Sequence, residues 1–137
     1  MRTTLFRLSI CFAGGCVGGL AYSLAMWGAG AAHLTTRLDV ALAPTFTYDW
    51  LYRHVVWGGV WGLLFLLPLL RRRSAFGRGL IISLIPSLAE LLYFFPFHSQ
   101  RGWFGLQYGT LTPFFILVFN AMWGVIAAWW IRRAGVH

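Results

Sequence analysis

Charge is what this sequence has least of. Only 10% of its 137 residues are charged and only three of them are acidic, whereas 59% are hydrophobic. A soluble domain carries about 25% charged residues, so this chain could not cover its own surface with polar groups if it folded in water. The length suits a single domain, and the composition indicates that lipid is its solvent.

Catalytic and redox signatures are also missing. The sequence has no G-x-S-x-G, phosphate-binding loop, dinucleotide fingerprint, H-E-x-x-H or C-x-x-C pattern. Three carboxylates are few for acid–base chemistry. Cys11 and Cys16 lack zinc-site spacing and lie in an apolar run, where small buried thiols are expected. We therefore expect no enzymatic activity and no cofactor.

Lysine is absent, and all eleven basic residues are arginines, which give a net charge of +8. They cluster at the ends of apolar runs and form no long basic stripe on a polar face, which argues against a nucleic-acid partner. Arginine clusters in such positions are typical of membrane proteins, where they set the orientation of the chain. The lipid bilayer is the partner that this pattern predicts.

Four apolar runs follow one another along the chain, at residues 8–32, 50–70, 79–97 and 110–131. Each has about the length that a helix needs to cross a hydrocarbon core of roughly 30 Å. Only helices and closed barrels satisfy their backbone groups in lipid, and the runs lack strand-like alternation. The sequence therefore predicts an all-α bundle of four transmembrane helices, a single domain spanning residues 1–137.

The first run also resembles a signal peptide, because Arg2 and Arg7 precede it and small residues end it. It is longer than a typical signal-peptide core, and its glycines are spaced for helix packing. We therefore expect it to be a membrane helix.

The distribution of arginines predicts the orientation. With the N-terminus inside, eight arginines lie on the cytoplasmic side, and only Arg37, Arg53 and Arg101 lie outside. That bias predicts that both termini lie on the cytoplasmic side of a bacterial inner membrane. An outer loop at 33–49, with a short interfacial helix ending before Pro44, and a basic inner loop at 71–78 near the lipid headgroups complete the topology.

The second and fourth runs share a pattern. "HVVWGGVWG" begins at His54 and "NAMWGVIAA" begins at Asn120, so both contain a polar residue, then Trp-Gly, then a small residue four positions after that glycine. Two helical hairpins related by a parallel repeat would produce this pattern.

The same positions resemble small uncharacterised bacterial inner-membrane proteins of the YagU type. The resemblance rests on seven residues: His54, Trp57, Gly58, Gly62, Asn120, Trp123 and Gly124. It implies a multi-pass inner-membrane protein without a defined catalytic mechanism, and it implies no site residue.

Small residues four positions apart predict close helix packing. The first run contains Gly14, Gly15, Gly18 and Gly19, and the second contains Gly58 and Gly62. Such pairs let two backbones approach closely, and in lipid that packing drives association. One glycine face is expected to pack inside the bundle. The adjacent face is free for a homo-oligomer or for other membrane subunits.

Glu90 is the only glutamate in the chain, and it lies inside the third run. It is about eleven residues, or roughly 16 Å, from the start of that run, which places it near the membrane midplane. Asn120 is predicted at a similar depth in the fourth run. Ser83 and Ser87 share the helix face of Glu90 at the i, i+4, i+7 spacing, and Pro86 frees a backbone carbonyl beside them.

Two interpretations of Glu90 stay open, because an ionised carboxylate in mid-membrane is costly. In one, a neutral or hydrated Glu90 exchanges protons or cations. In the other, it donates a hydrogen bond to Asn120, a serine or a backbone carbonyl and holds helices together.

Three histidines lie near the predicted outer surface: His33, His54 and His98. Asp39 and Asp49 share that side. Three histidines can ligate a metal and two can ligate haem, but none here shows ligand spacing. We expect interfacial histidines and no metal, and we retain these three only as weak candidates.

These observations leave three hypotheses for the function. The preferred hypothesis is a small oligomeric transporter or channel with Glu90 as its proton or cation site. The alternative is a non-catalytic structural or accessory subunit of a larger membrane complex, in which Glu90 only orders helices. A metal- or haem-binding membrane protein is the third and weakest hypothesis.

Overall fold

Helices form all the regular secondary structure of the computed structural model, which describes residues 2–136, apart from the side chain of Arg2. The elements in chain order are α1 (Arg2–Ala31), α2 (Leu34–Arg37), α3 (Tyr48–Gly62) with a 3-10 turn (Leu63–Leu66), α4 (Ala75–Ile82), α5 (Leu84–Ala89), a π-helix (Glu90–His98), a 3-10 turn (Trp103–Gly105) and α6 (Thr112–Arg133). The prediction of an all-helical fold is confirmed for the described residues.

Three segments are long and apolar enough to cross a membrane, by length and composition: Thr3–Ala31, Ala75–His98 and Thr112–Arg133. They coincide with the first, third and fourth apolar runs. The Ala75–His98 segment, which joins α4, α5 and the π-helix, is called the third helical segment below.

The second run forms a shorter helix than predicted. Thr47 caps α3 by accepting a hydrogen bond from the backbone N–H of Trp50, at 3.1 Å. The α-helix ends at Gly62, and the 3-10 turn ends before Leu67, which is extended. An extended residue before Pro68 is expected, because the proline ring disfavours a helical conformation there. The helix predicted over 50–70 therefore stops four residues early.

The glycines of α1 let it contact two helices at once. The backbones of Gly15 and Gly19 contact α3 so closely at Gly58 that a Cβ on Gly58 would lie 2.7 Å from the Gly15 carbonyl oxygen. A Cβ on Gly62 would lie 2.8 Å from the Cα of Gly15. Since no side chain fits there, the pattern of small residues fixes the α1–α3 crossing.

The adjacent glycine face of α1 packs against α6. A Cβ on Gly18 would lie 2.6 Å from the carbonyl oxygen of Trp123, and one on Gly14 would lie 2.7 Å from the side chain of Ile131. Both glycine faces of α1 are therefore used inside the bundle. The prediction that the second face is free for an oligomer is not supported by this packing.

The contact between α4 and α6 is built in the same way. Gly79 and Gly124 face each other so closely that a Cβ on either would clash with the backbone of the other. The helices therefore pack in the order α3, α1, α6, α4. As a result, α3 and the third helical segment lie on either side of a gap whose floor is formed by α1 and α6.

The outer loop contains one short helix, Leu34–Arg37, which ends well before Pro44, and the chain turns at Asp39, where φ is 58°. The basic inner loop is shorter than 71–78. Ser74 caps α4 through the N–H of Gly77, so Arg78 lies in a helix and is buried.

Candidate functional site

A cavity of about 60 Å³ opens into the gap between α3 and the third helical segment. A cavity needs roughly 10–15 Å³ to hold a water, so this one has room for water. Its polar lining consists of Tyr22, His54, Glu90 and Asn120, and the rest is Gly19, Trp57, Gly58, Trp61, Pro86 and Trp123. Each of the four helical segments contributes at least one polar group or glycine.

Tyr22 of α1 contacts the Glu90 carboxyl in this cavity. The tyrosine hydroxyl lies 3.3 Å from one carboxyl oxygen of Glu90 and 3.2 Å from the other. Hydrogen bonds between two oxygens are usually 2.5–3.0 Å long, so a hydroxyl shared between both oxygens at these distances is a weak partner. The carboxyl therefore keeps hydrogen-bonding capacity for water, a proton or a cation.

His54 lies on the opposite wall of the cavity. Its Nδ1 is 2.8 Å from the backbone carbonyl oxygen of Trp50, one turn earlier in α3. A carbonyl only accepts hydrogen bonds, so Nδ1 carries a hydrogen and Nε2 is left to accept or bind a second proton. The imidazole also stacks on the ring of Tyr22, with ring centroids 5.7 Å apart. Tyr22 thus contacts both ionisable side chains.

Asn120 of α6 completes the polar lining. Its amide donates a hydrogen bond to the carbonyl of Ile116 at 3.1 Å, and its side chain is buried next to the Glu90 carboxyl. Asn120 lies eight residues from the start of α6, or roughly 12 Å at 1.5 Å per residue. The structure therefore brings Glu90 and Asn120 together, at a level closer to the 99–111 loop than to the arginine-rich end.

Ser83 and Ser87 do not line the cavity. The Ser83 hydroxyl donates to the carbonyl of Leu80 at 2.7 Å, and the Ser87 hydroxyl donates to the carbonyl of Ser83 at 2.8 Å. Both side chains are buried, and Ser83 packs against Gly124. Both hydroxyls form their hydrogen bonds within their own helix. Ser83 and Ser87 therefore follow the same helical spacing as Glu90, but their surroundings differ from those of Glu90.

The π-helix begins at Glu90. Pro96 lies inside it and has no backbone N–H, so regular α-helical bonding cannot continue through that turn. A change from α- to π-helix is often found at functional sites. Here it falls at the residue whose carboxyl faces the cavity.

Sequence reasoning missed Tyr22. The signal was available, since Gly15, Gly19 and Tyr22 follow the i, i+4, i+7 spacing of one helix face. A face that packs against α3 through two glycines also carries its next residue into the bundle. The hydroxyl of a tyrosine buried there needs a polar partner.

The three candidate histidines lie in different surroundings. His33 has a left-handed backbone with φ of 60° and precedes α2, His54 lines the cavity, and His98 stacks on Phe94 with centroids 4.8 Å apart. Within residues 2–136, no three His, Cys, Asp or Glu side chains form a group that could hold a metal ion. His54 therefore belongs with Glu90 and Tyr22 rather than with the other histidines.

No family model, no curated protein and no solved structure matches this chain.

Proposed function

We propose that this chain is a multi-pass inner-membrane protein with four crossings and both termini in the cytoplasm. Large hydrophobic side chains are exposed along every long helix, among them Leu20, Trp57, Leu88 and Phe114. Water would disfavour such a surface, whereas lipid favours it. The fifteen residues of α3 and its four-residue 3-10 turn together span roughly 30 Å, which is sufficient for a fourth crossing.

Two copies of one helical hairpin account for the packing. In α1, the hydroxyl of buried Ser23 donates to the carbonyl of Gly19 at 2.7 Å, and in α5 the hydroxyl of Ser87 donates to the carbonyl of Ser83 at 2.8 Å. The glycine after each repeated tryptophan contacts the first helix of its own hairpin. These parallels support the proposed repeat. The resemblance to YagU-type proteins stays a prediction.

The protein, we infer, moves protons or small cations through the Glu90 carboxyl. The observation that carries this inference is the cavity itself, which holds a carboxyl next to a phenol and an imidazole with room for water. The long, shared hydrogen bond from Tyr22 leaves Glu90 free to exchange its partners. Intramembrane ionisable residues in a wet cavity are typical of proton and ion pathways.

The working form in this proposal is a homo-oligomer. Trp57 lines the cavity yet keeps 60% of its surface exposed, so the gap between α3 and the third helical segment is open at the side of the bundle. A second copy would cover that opening and extend the polar lining into a continuous path.

Proton flux into liposomes tests the transport proposal. Wild-type protein is expected to dissipate an imposed pH gradient, and Glu90→Gln is expected to reduce that flux at least about tenfold, since the amide cannot exchange a proton. Asp39→Asn is the matched control, because it makes the same carboxyl-to-amide change in the outer loop and should leave the flux unchanged. Equal flux from wild type and Glu90→Gln would remove Glu90 from the mechanism.

A second function is favoured by the Tyr22–Glu90 hydrogen bond, which connects α1 to the third helical segment across the gap. In that alternative the chain is a structural subunit, and Glu90 orders its helices for docking to a larger complex. Well-folded wild type without flux, together with stoichiometric co-purification of other membrane subunits, would favour this alternative over transport.

A further inference from the structure

A second cavity lies at the opposite end of the bundle, between the inner loop and the end of α6. Its volume is about 30 Å³, and four arginines line it: Arg71, Arg73, Arg78 and Arg132. The remaining lining residues are Ala75, Ala128, Ile131 and Val136, so the cavity holds no acidic residue. Such a concentration of positive charge around a concave site attracts an anion.

Arg78 is the fixed part of this site. It is buried, and it donates from Nε to the carbonyl of Leu69 at 3.2 Å and from Nη2 to the carbonyls of Phe65 at 2.7 Å and Leu67 at 3.2 Å. A guanidinium has five N–H donors, one on Nε and two on each Nη. The hydrogen bonds above use Nε and Nη2, and the two donors on Nη1 have no hydrogen-bond partner among residues 2–136. Its charge is likewise unmatched, because the single ion pair of the described residues is Arg53–Asp49 near the start of α3.

The other three arginines are exposed and belong to two different segments. Arg71 and Arg73 come from the inner loop, and Arg132 comes from the last turn of α6. An anion between them would therefore connect the loop to α6 through charge-assisted hydrogen bonds. One guanidinium group can bind two phosphate oxygens at once through two parallel N–H···O hydrogen bonds. Arginine is therefore well suited to an anion that carries a phosphate.

The cavity is small and open to one side. About 30 Å³ admits only a few atoms of a ligand. That space suits the oxygens of one phosphate group, with the rest of the ligand outside.

Apolar side chains flank the arginines. Leu69 lies two residues before Arg71, and Phe76 follows Ala75 directly. They keep 50% and 62% of their surfaces exposed. A soluble phosphate gains nothing from such a surface, whereas the acyl chains of a lipid would cover it. We propose that Arg71, Arg73, Arg78 and Arg132 bind the phosphate of an anionic phospholipid and thereby fix the inner loop against α6. This site is independent of the cavity around Glu90.

Native mass spectrometry of the purified full chain, titrated with phosphatidylglycerol, tests the proposal. The variant Arg73→Gln/Arg132→Gln removes two arginines of the cavity and leaves Arg78 in place. The matched control, Arg72→Gln/Arg133→Gln, removes two neighbouring arginines that do not line the cavity. General attraction to anionic lipid changes equally in both. We expect the cavity variant to lose at least about tenfold in lipid affinity and the control at most about twofold.

Three results would overturn the proposal. One is an equal loss in both double variants, which would mean diffuse attraction only. Another is equal binding of phosphatidylcholine and phosphatidylglycerol by the wild type. The third is displacement of bound lipid by inorganic phosphate at concentrations that also saturate the lipid-free protein, which would assign the site to a soluble anion. If the double variant fails to fold, Arg132→Gln against Arg133→Gln gives the same comparison with one charge removed.

Discussion

The indole Nε1–H of Trp123 donates a hydrogen bond to the carbonyl oxygen of Gly15 at 3.1 Å, and the same N–H reaches the carbonyl oxygen of Gly58 at 3.3 Å. One side chain of α6 thereby joins α1 and α3 at the point where their backbones approach most closely. The tryptophan is only 3% exposed. Trp57, its counterpart in the repeated pattern, is on the rim of the Glu90 cavity instead.

We expect Trp123→Phe to lower the free energy of unfolding by about 1 to 3 kcal/mol, since it removes a buried hydrogen bond and part of the indole volume. Trp57→Phe makes the same chemical change at an exposed position and should alter stability by less than about 0.5 kcal/mol. Thermal unfolding in detergent measures both. Equal effects would mean that the three-helix hydrogen bond does not contribute to stability.

Gly15→Ala is expected to destabilise the fold by about 1 to 3 kcal/mol, because a Cβ there would overlap the backbone of α3 at Gly58. Gly28→Ala, in the same helix, meets no atom within 4 Å and should stabilise the fold by about 0.5 to 1 kcal/mol, as an alanine does in a helix interior. Chemical unfolding of the two variants should show changes of opposite sign in the free energy of unfolding if the glycines of α1 and α3 pack as described.

Tyr22→Phe removes the hydroxyl that contacts Glu90. Its hydrogen bond is long and shared, so the loss of stability should stay below about 1 kcal/mol. Proton flux should change several-fold, because the carboxyl loses a polar neighbour. Tyr93→Phe is the control, since Tyr93 is exposed and lies outside the cavity. A large loss of stability with unchanged flux would favour the structural function of the Tyr22–Glu90 contact.

Arg78→Gln is expected to cost about 2 to 3 kcal/mol of stability, because the carbonyls of Phe65, Leu67 and Leu69, in and after the 3-10 turn that follows α3, lose a charged donor. Arg72→Gln removes the same charge from an exposed position and should change stability by less than about 0.5 kcal/mol. The difference between the two unfolding midpoints separates Arg78 from the general positive charge of the inner loop.

The long helices were predictable because their apolar runs have membrane-crossing length. The proximity of Glu90 and Asn120 followed from counting residues along two such runs. Other details depend on tertiary contacts that a run of sequence does not display. The sequence places Arg78 in a basic loop, but Ser74 caps α4, the helix that contains Arg78. Its guanidinium donates to three backbone carbonyls in and after the 3-10 turn that follows α3.

The serines show the limit of periodicity. Ser83 and Ser87 lie on the same predicted face as Glu90, but each bonds to its own helix backbone, a choice that spacing alone does not reveal. Tyr22 reaches Glu90 from 68 residues away in the sequence. Its position depends on how closely α1 approaches its neighbours.

The proposed transport function requires that the Glu90 carboxyl lies in a cavity that admits water. In a background of Cys11→Ala and Cys16→Ala, the reaction of Glu90→Cys with a membrane-impermeant thiol reagent tests it most directly. Ser87→Cys, at a position 1% exposed and outside the cavity, is the matched control in the same segment. We predict that the cysteine at position 90 reacts at least about tenfold faster than the one at position 87, since only a hydrated thiol ionises and reacts readily. Equal, slow reaction at both positions would mean that Glu90 is dry and holds helices together.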